Sequence, residues 1–305
     1  MSISRRDFIR TVGVAGVAST AVGGLAEQAQ ASEAVAISEK LMGVLVDIPK
    51  CIGCRRCEFA CQDAAGFDPP ALETFEDKSV MAQPRRPHPR SHTIINEYHN
   101  PKDETHPLYN KFNCLHCVDP ACMSACLVSA FSKQGDGPVV YNKNRCMGCR
   151  YCMVACPFEI PTYDYDMPLT PQVRKCNLCA QLVPQKQPVP ACVKICPEEV
   201  MIYGKRSDLL KLAHEKIRGQ PNLYVDHVYG EHEAGGTSWL WLSSVPFEQV
   251  GFKHFDPKAP PRLTEKIQHA EFRLFLPPIM LYGLLGAAMW LTKPDHPPDA
   301  PGDEH

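Results

Sequence analysis

The positions of the cysteines constrain this chain of 305 residues more than any other feature of its sequence. All 16 cysteines fall into four groups of four, each with two residues between the first pair and three between the last pair. They are group I (Cys51, Cys54, Cys57, Cys61), group II (Cys114, Cys117, Cys122, Cys126), group III (Cys146, Cys149, Cys152, Cys156) and group IV (Cys176, Cys179, Cys192, Cys196). This duplication predicts four copies of one structural unit.

Groups I and III have the C-x2-C-x2-C-x3-C spacing by which bacterial ferredoxins hold [4Fe–4S] clusters. Groups II and IV carry extra residues before the third cysteine but lack no ligand. Two residues between ligands let the loop wrap around a cubane with its backbone N–H groups pointing at the sulfurs. The spacing therefore predicts four [4Fe–4S] clusters in an α+β fold made of two ferredoxin-like units.

The fourth cysteine of such a group ligates the other cluster of a pair. Groups II and III are adjacent and are expected to pair, which leaves groups I and IV to pair around them. The predicted ligand sets are Cys51, Cys54, Cys57 and Cys196 (site 1); Cys176, Cys179, Cys192 and Cys61 (site 2); Cys114, Cys117, Cys122 and Cys156 (site 3); and Cys146, Cys149, Cys152 and Cys126 (site 4). One ferredoxin-like unit is thus inserted in the other.

Other uses of these cysteines fit the pattern poorly. Zinc ribbons use two CxxC pairs and have no role for the other cysteines of groups I and III. A disulfide framework would not repeat one spacing four times, and no CxxC is followed by His, as c-type haem attachment requires. A net charge of −2 gives no reason to expect nucleic acid as a partner.

No catalytic motif accompanies the cysteines, so no catalytic residue is predicted. The sequence contains no phosphate loop, dinucleotide fingerprint, nucleophile elbow or zincin helix. The expected role is electron transfer, as a non-catalytic subunit of an oxidoreductase complex. A self-contained redox enzyme and a structural iron–sulfur protein are the alternatives. Complete ligand sets argue against the enzyme, because they leave no iron open to a substrate. Four clusters argue against the structural protein, because one would suffice to stabilise a fold.

Both ends of the chain suggest export to a membrane. Arg5-Arg6, an apolar stretch over residues 11–25 and Ala29-Gln30-Ala31 predict a twin-arginine (Tat) signal over residues 1–31. Residues 274–291 are uncharged and long enough for one membrane helix, and the alternatives are a buried core helix or an interfacial segment. The expected location is the periplasmic side of the bacterial inner membrane.

The remaining organisation follows from these assignments. The predicted segments are the signal (1–31), the first half of the outer unit with a long surface loop over 62–112 (32–112), the inner unit (113–170), the second half of the outer unit with an extension (171–262), the anchor helix (263–293) and a tail (294–305). Positive charges beside ligands, at Arg55, Arg56, Arg150 and Lys175, either raise cluster potentials or are solvated. His116, between two ligands of group II, is expected to be an exposed loop residue, with a hydrogen bond to cluster sulfur as the alternative.

Five stretches carry a resemblance to a known family: residues 114–122, 148–157, 163–165, 229–237 and 245–248. With the signal and the C-terminal apolar segment, they resemble the ferredoxin-like electron-transfer subunit of hydrogenase-2-type [NiFe]-hydrogenases. That subunit type falls within the four-cluster family of DMSO reductases and formate dehydrogenases. One departure is Leu127, which stands where the family has Pro and is expected to loosen a turn.

The resemblance implies partners as well as a fold. They are the hydrogenase small and large subunits, an integral membrane quinone-reactive subunit, and membrane lipid around the C-terminal helix. The implied function is to relay electrons between a periplasmic hydrogenase and that membrane subunit. The alternative is the equivalent beta subunit of a formate dehydrogenase or another molybdopterin oxidoreductase.

Overall fold

The computed structural model of the chain describes residues 39–167, 170, 172–181, 189–261 and 276–292. The strands are β1 (Met42–Asp47), β2 (Ile94–Tyr98), β3 (Leu108–Phe112), β4 (Phe131–Lys133), β5 (Val139–Tyr141), β6 (Thr162–Tyr163), β7 (Val173–Arg174), β8 (Met201–Lys205) and β9 (Trp239–Leu242). The α-helices are α1 (Arg56–Ala64), α2 (Ala121–Ser124), α3 (Tyr151–Ala155), α4 (Ala191–Lys194), α5 (Arg206–Gly219) and α6 (Leu276–Leu291). The predicted signal over 1–31 and the predicted tail over 294–305 lie outside the described residues.

A three-stranded sheet in the order β8-β1-β9 forms the centre of the fold. β1 runs antiparallel to β8 and parallel to β9. Because side chains alternate along a strand, β1 can pack against a different core on each face. Val44 and Val46 join the large core that also contains cysteines of sites 1 and 2, whereas Leu45 packs with α5.

Helix α5 covers the face of the sheet opposite the cysteines. Leu209, Ala213 and Ile217 recur every four residues and are buried against the sheet. β8 leads directly into α5, so Lys205 holds the cap position and no side chain caps the first turn. The start is fixed by buried Arg206, whose Nε donates to the carbonyl of Thr237 at 2.7 Å.

The long surface loop predicted over 62–112 is wrong for its second half. Residues 94–112 form the antiparallel hairpin β2–β3, in which Ile94 pairs with Phe112. Ile94, Ile95 and Leu108 are buried in this hairpin. It closes over group I, because the backbone N–H of Ile95 donates to the carboxylate of Glu58 on α1 at 2.7 Å.

The cysteine groups lie in two modules of the same design. In the outer module, β1 pairs with β8 and helices α1 and α4, which carry cysteines of groups I and IV, pack together. In the inner module, β4 pairs with β5 and helices α2 and α3, which carry cysteines of groups II and III, pack together. The two modules differ in the order of their groups along the chain. In the outer module the group without extra residues (I) comes first, whereas in the inner module it (III) comes second.

Helix α6 coincides with the apolar segment predicted to anchor the chain. It has 16 residues and, at about 1.5 Å per residue, a length of about 24 Å. Residues 274 and 275 of the predicted span lie outside the described residues. Within the described part of the chain, no helix has both the length and the hydropathy required to cross a membrane. The side chains of Tyr282, Met289 and Trp290 are exposed.

Candidate metal centres

All four CxxC loops share one left-handed turn. The residue just before the second cysteine has a positive φ in each group: 69° at Gly53, 52° at His116, 76° at Gly148 and 55° at Leu178. This left-handed residue turns the loop back on itself, so backbone N–H groups face the first sulfur. Gly148 N–H donates to Cys146 Sγ at 3.4 Å, and Leu178 N–H donates to Cys176 Sγ at 3.3 Å.

A second shared turn follows the fourth cysteine in three groups. Ser129, Glu159 and Glu199 each lie three residues after that cysteine and have φ between 46° and 55°. The N–H of each donates to the carbonyl of the cysteine, and for Ser129 the distance is 3.1 Å. The turn after Cys126 is therefore kept despite Leu127, and the expected loosening is not observed. In group I, α1 instead continues through the fourth cysteine to Ala64.

The structure brings cysteines together across groups. Cys51 interacts electrostatically with Cys54 and Cys196, and Cys61 with Cys192 and Cys179. In the inner module, Cys117 interacts with Cys114, Cys122 and Cys156, and Cys152 with Cys126, Cys146 and Cys149. The cysteines of site 1 line one cavity, and those of site 3 line another. These sets match the predicted swap of the fourth cysteine, while the ligand assignment itself stays a prediction.

Interactions between sets arrange the four sites in a row. Cys57 of site 1 interacts with Cys192 of site 2, and Cys176 of site 2 interacts with Cys114 of site 3. Cys122 of site 3 interacts with Cys152 of site 4. The resulting order is site 1, site 2, site 3, site 4.

Several of the thiols are buried, and burial favours the neutral thiol over the thiolate. Burial is the main cause that raises the pKa of Cys51 to about 11 and the pKa of Cys61 and Cys122 to about 12. Bound metal reverses this preference, because a coordinated thiol loses its proton. None of the 16 cysteines forms a disulfide. Among the described residues, no group of three or more His, Cys, Asp or Glu side chains is arranged to hold a single metal ion.

A buried lysine that the sequence reasoning missed lies between sites 1 and 2. Lys111 of β3 donates from Nζ to Asn113 Oδ1 at 2.8 Å and to Thr93 Oγ1 at 3.2 Å. Burial disfavours its charge, but the thiolates of Cys192 and Cys57 outweigh that effect and raise the pKa of Lys111. Two residues separate it from Cys114, and its strand is buried on both faces, so neither spacing nor alternation reveals it.

The cations that the sequence singled out have different environments. Lys175 is buried, lines the cavity of site 3, and donates from Nζ to the carbonyl of Cys176 at 2.9 Å. Arg55 is buried too, but it serves the fold through a 3.0 Å ion pair with Glu58. Arg56 is partly exposed, and Arg150 is exposed beside site 4, with its guanidinium 5.3 Å from the ring centre of Tyr163.

His116 is not the exposed loop residue that was predicted. It is fully buried in the group II loop, because its Nδ1 accepts a hydrogen bond from the N–H of Val139 at 2.9 Å. Burial, with nearby Lys175 and Lys133, holds its pKa well below the usual range, so the ring is neutral with its proton on Nε2. That Nε2 is buried and has no acceptor among the described protein groups. Such a donor suits a site that holds an inorganic sulfide.

Comparisons with known proteins agree with this chemistry. A 4Fe-4S dicluster domain model matches residues 50–130, and a second 4Fe-4S dicluster domain model matches residues 106–206. A protein of Nitratidesulfovibrio vulgaris (strain Hildenborough) is 42% identical over 264 residues, which cover 86% of this chain and 70% of that protein.

Two relatives have informative names. The hydrogenase-2 operon protein HybA of Escherichia coli O157:H7 is 33% identical over 298 residues, which cover 87% of this chain and 88% of the relative. The iron–sulfur subunit of the nitrate-inducible formate dehydrogenase of Escherichia coli K12 is 30% identical over 220 residues, which cover 71% and 72%. The chain therefore belongs to the family of 4Fe–4S dicluster proteins that includes HybA and the formate dehydrogenase iron–sulfur subunits.

Proposed function

We propose that this chain is the electron-transfer subunit of a hydrogenase complex and relays electrons between the catalytic subunits and a membrane quinone-reactive subunit. The observation that carries the proposal is the row of four cysteine sets, with both ends at the surface. The four cysteine sets would each hold one [4Fe–4S] cluster. Such a cluster accepts and donates one electron at a time, which is the chemistry that a relay requires.

Sites 1 and 4, at the two ends of the row, differ from site 3 at one equivalent position. Ile52 and Met147 follow the first cysteine of groups I and III, and their side chains are 48% and 64% exposed. In group II the same position holds Leu115, which is 4% exposed. Apolar surface of this kind marks contact with other proteins. In this proposal, partners dock at sites 1 and 4, the two ends of the row, and the loop of site 3 is shielded from them.

The protein's own contribution is to hold, shield and separate the sites. The left-handed loops aim backbone N–H groups at sulfur, and the swapped fourth cysteine ties each site to its neighbour. The buried cations Lys111 and Lys175 offset the negative charge of the thiolates. None of these residues is placed to act on a substrate, and this favours a relay over a self-contained enzyme.

The hydrogenase assignment rests on the resemblance to HybA along 87% of the chain. The second candidate is the beta subunit of a formate dehydrogenase, supported by the match to such subunits over 71% of the chain. We further propose export by the Tat signal at Arg5-Arg6. Exposed α6 is the membrane attachment in this proposal, and it places the chain at the periplasmic face of the inner membrane.

The test is purification of the tagged full chain from membranes in mild detergent, with identification of the proteins that accompany it. The hydrogenase proposal expects a nickel-containing large subunit, an iron–sulfur small subunit and a polytopic membrane protein, with hydrogen-dependent dye reduction. A molybdopterin subunit with formate-dependent reduction would overturn it in favour of the second candidate. The variant Arg5→Lys, Arg6→Lys is the control for export and should leave the loaded chain in the cytoplasm.

A further inference from the structure

Lys111 is held in a pocket made for an ammonium group. The side chain is buried and its Nζ lies 4.4 Å from the ring centre of Trp239, within the range of a cation–π contact. Its two hydrogen-bond acceptors, the hydroxyl of Thr93 and the amide oxygen of Asn113, are both neutral. The pocket therefore orients the charge without neutralising it.

No carboxylate neutralises Lys111 within the described part of the chain. It takes part in none of the ion pairs there, whereas buried Arg55 pairs with Glu58. A buried ammonium without a counterion is strongly unfavourable. Lys111 lines the cavity formed by the cysteines of site 1, and the strongest charges that act on it belong to Cys57 of site 1 and to Cys192, Cys176 and Cys61 of site 2.

We infer that Lys111 is the counterion shared by sites 1 and 2 and that it raises the reduction potential of both clusters. The inference rests on the proposed function, since it requires that clusters occupy these sites. Four thiolates outweigh the positive charge of a cubane core, and reduction adds one further negative charge without making or breaking a bond. A fixed cation between two such sites stabilises the reduced form of each, as positive charge does near iron–sulfur centres.

The other end of the row provides an internal reference. The contact between sites 3 and 4 is formed by an apolar cluster of Cys122, Phe131, Val139, Cys152 and Val173. The strongest charges that act on Lys111 belong to cysteines of sites 1 and 2, and none of them belongs to site 4. The charge of Lys111 should therefore act on sites 1 and 2 and leave site 4 unchanged.

Lys78 is a matched control for Lys111. Its Nζ also donates to two oxygens, the carbonyl of Ile52 at 2.9 Å and the hydroxyl of Tyr109 at 3.1 Å, and lies 4.5 Å from the Tyr109 ring centre. Lys78 is exposed, however, and the cysteine it acts on is Cys51 of site 1. Removal of its charge should not affect site 2.

The experiment is a potentiometric titration of the cluster-loaded full chain, followed by electron paramagnetic resonance. The variants are Lys111→Met, Lys111→Gln, Lys111→Arg and Lys78→Met. In the Met and Gln variants of Lys111 we expect the equilibrium constant for reduction of two clusters to fall at least tenfold. For a one-electron couple, this lowers the reduction potential by about 59 mV. The Arg variant should titrate like the wild type, and Lys78→Met should shift one cluster at most.

Each outcome decides a separate point. Unchanged potentials in a fully loaded Lys111→Gln chain would overturn the inference and leave the proposed function intact. Equal shifts in all four clusters would also overturn it, since they would mean a general loosening of the fold. If Lys111→Met does not load, the Gln and Arg variants decide by the same criteria. A wild-type chain without iron would instead refute the proposed function.

Discussion

The outer and inner modules use the same cysteine unit but enclose it very differently. In the outer module, β1 lies between two other strands, and the cysteines of sites 1 and 2 join the largest core of the described chain. In the inner module, Cys114 and Cys156 of site 3 also reach that core, whereas a two-stranded hairpin and a small core support site 4, and Cys149 is exposed. The loop conformations are nevertheless alike, so the ligand unit sets its own shape while its surroundings set its protection.

The largest effect is expected from two cysteines of group I that serve different sites. Cys57→Ala should remove the cluster of site 1, and Cys61→Ala, four residues later on the same helix, should remove the cluster of site 2. Each variant should lose about one quarter of the bound iron, with a different signal missing from the paramagnetic resonance spectrum. Loss of the same signal from both variants would contradict the swapped ligand sets.

The stability of the outer module should depend on a buried ion-pair network. The Glu58 carboxylate, 1% exposed, accepts from Arg55 at 3.0 Å and also from Arg85. Glu58→Ala leaves both guanidinium groups without their carboxylate, and we expect a loss of about 3–5 kcal/mol in the free energy of unfolding. Urea unfolding followed by cluster absorbance measures it.

The matched control for that prediction is an exposed glutamate with two cationic partners. Glu159 pairs with Arg86 at 3.2 Å and with Lys253 at 2.5 Å, and all three side chains are largely exposed. Glu159→Ala should unfold at nearly the wild-type urea concentration, because exposed pairs contribute little. Similar midpoints for both glutamate variants would show that Glu58 does not hold the outer module together.

A smaller effect concerns the order in which clusters are lost. Site 4 should lose iron first to an added chelator, because Cys149 is exposed, and site 2 should lose it last. The measurement is the decay of individual resonance signals over time in the presence of the chelator. Simultaneous loss of all four signals would mean that global unfolding, and not local exposure, controls release.

The smallest effect on the chain itself should come from the apolar surface beside site 4. Val154 of α3 is 81% exposed, so Val154→Lys should change stability by no more than about 0.5 kcal/mol. It should still reduce the amount of partner that copurifies, because it places a charge in the proposed docking surface. Leu223→Lys, at another exposed apolar residue, is the control. Equal partner recovery from both variants would remove site 4 as a docking end.

Much of this arrangement could be predicted because the cysteine spacing records local geometry. The strands at β1, β5, β8 and β9, and the way cysteines meet across groups, follow from that spacing and from the alternation of apolar residues. The long-range features could not be predicted. The hairpin 94–112 is buried only because it packs over α1, and its strands are interrupted by the polar segment 99–107.

The buried polar residues were the hardest to predict. Lys111 and His116 have the residue types of exposed loops, and their roles depend on contacts with Trp239 and Val139, which are distant in sequence. The residue type of His116 does not indicate a left-handed φ, but two of the other groups have Gly at the equivalent position. Comparison of the four groups with each other is the signal that could have identified it.

The most direct test of the account is the iron and acid-labile sulfide content of the anaerobically purified full chain, combined with Mössbauer spectroscopy. The account predicts four [4Fe–4S] clusters per chain, with magnetic coupling between neighbours on reduction because the sites form one row. Two clusters per chain, or zinc in place of iron, would contradict it.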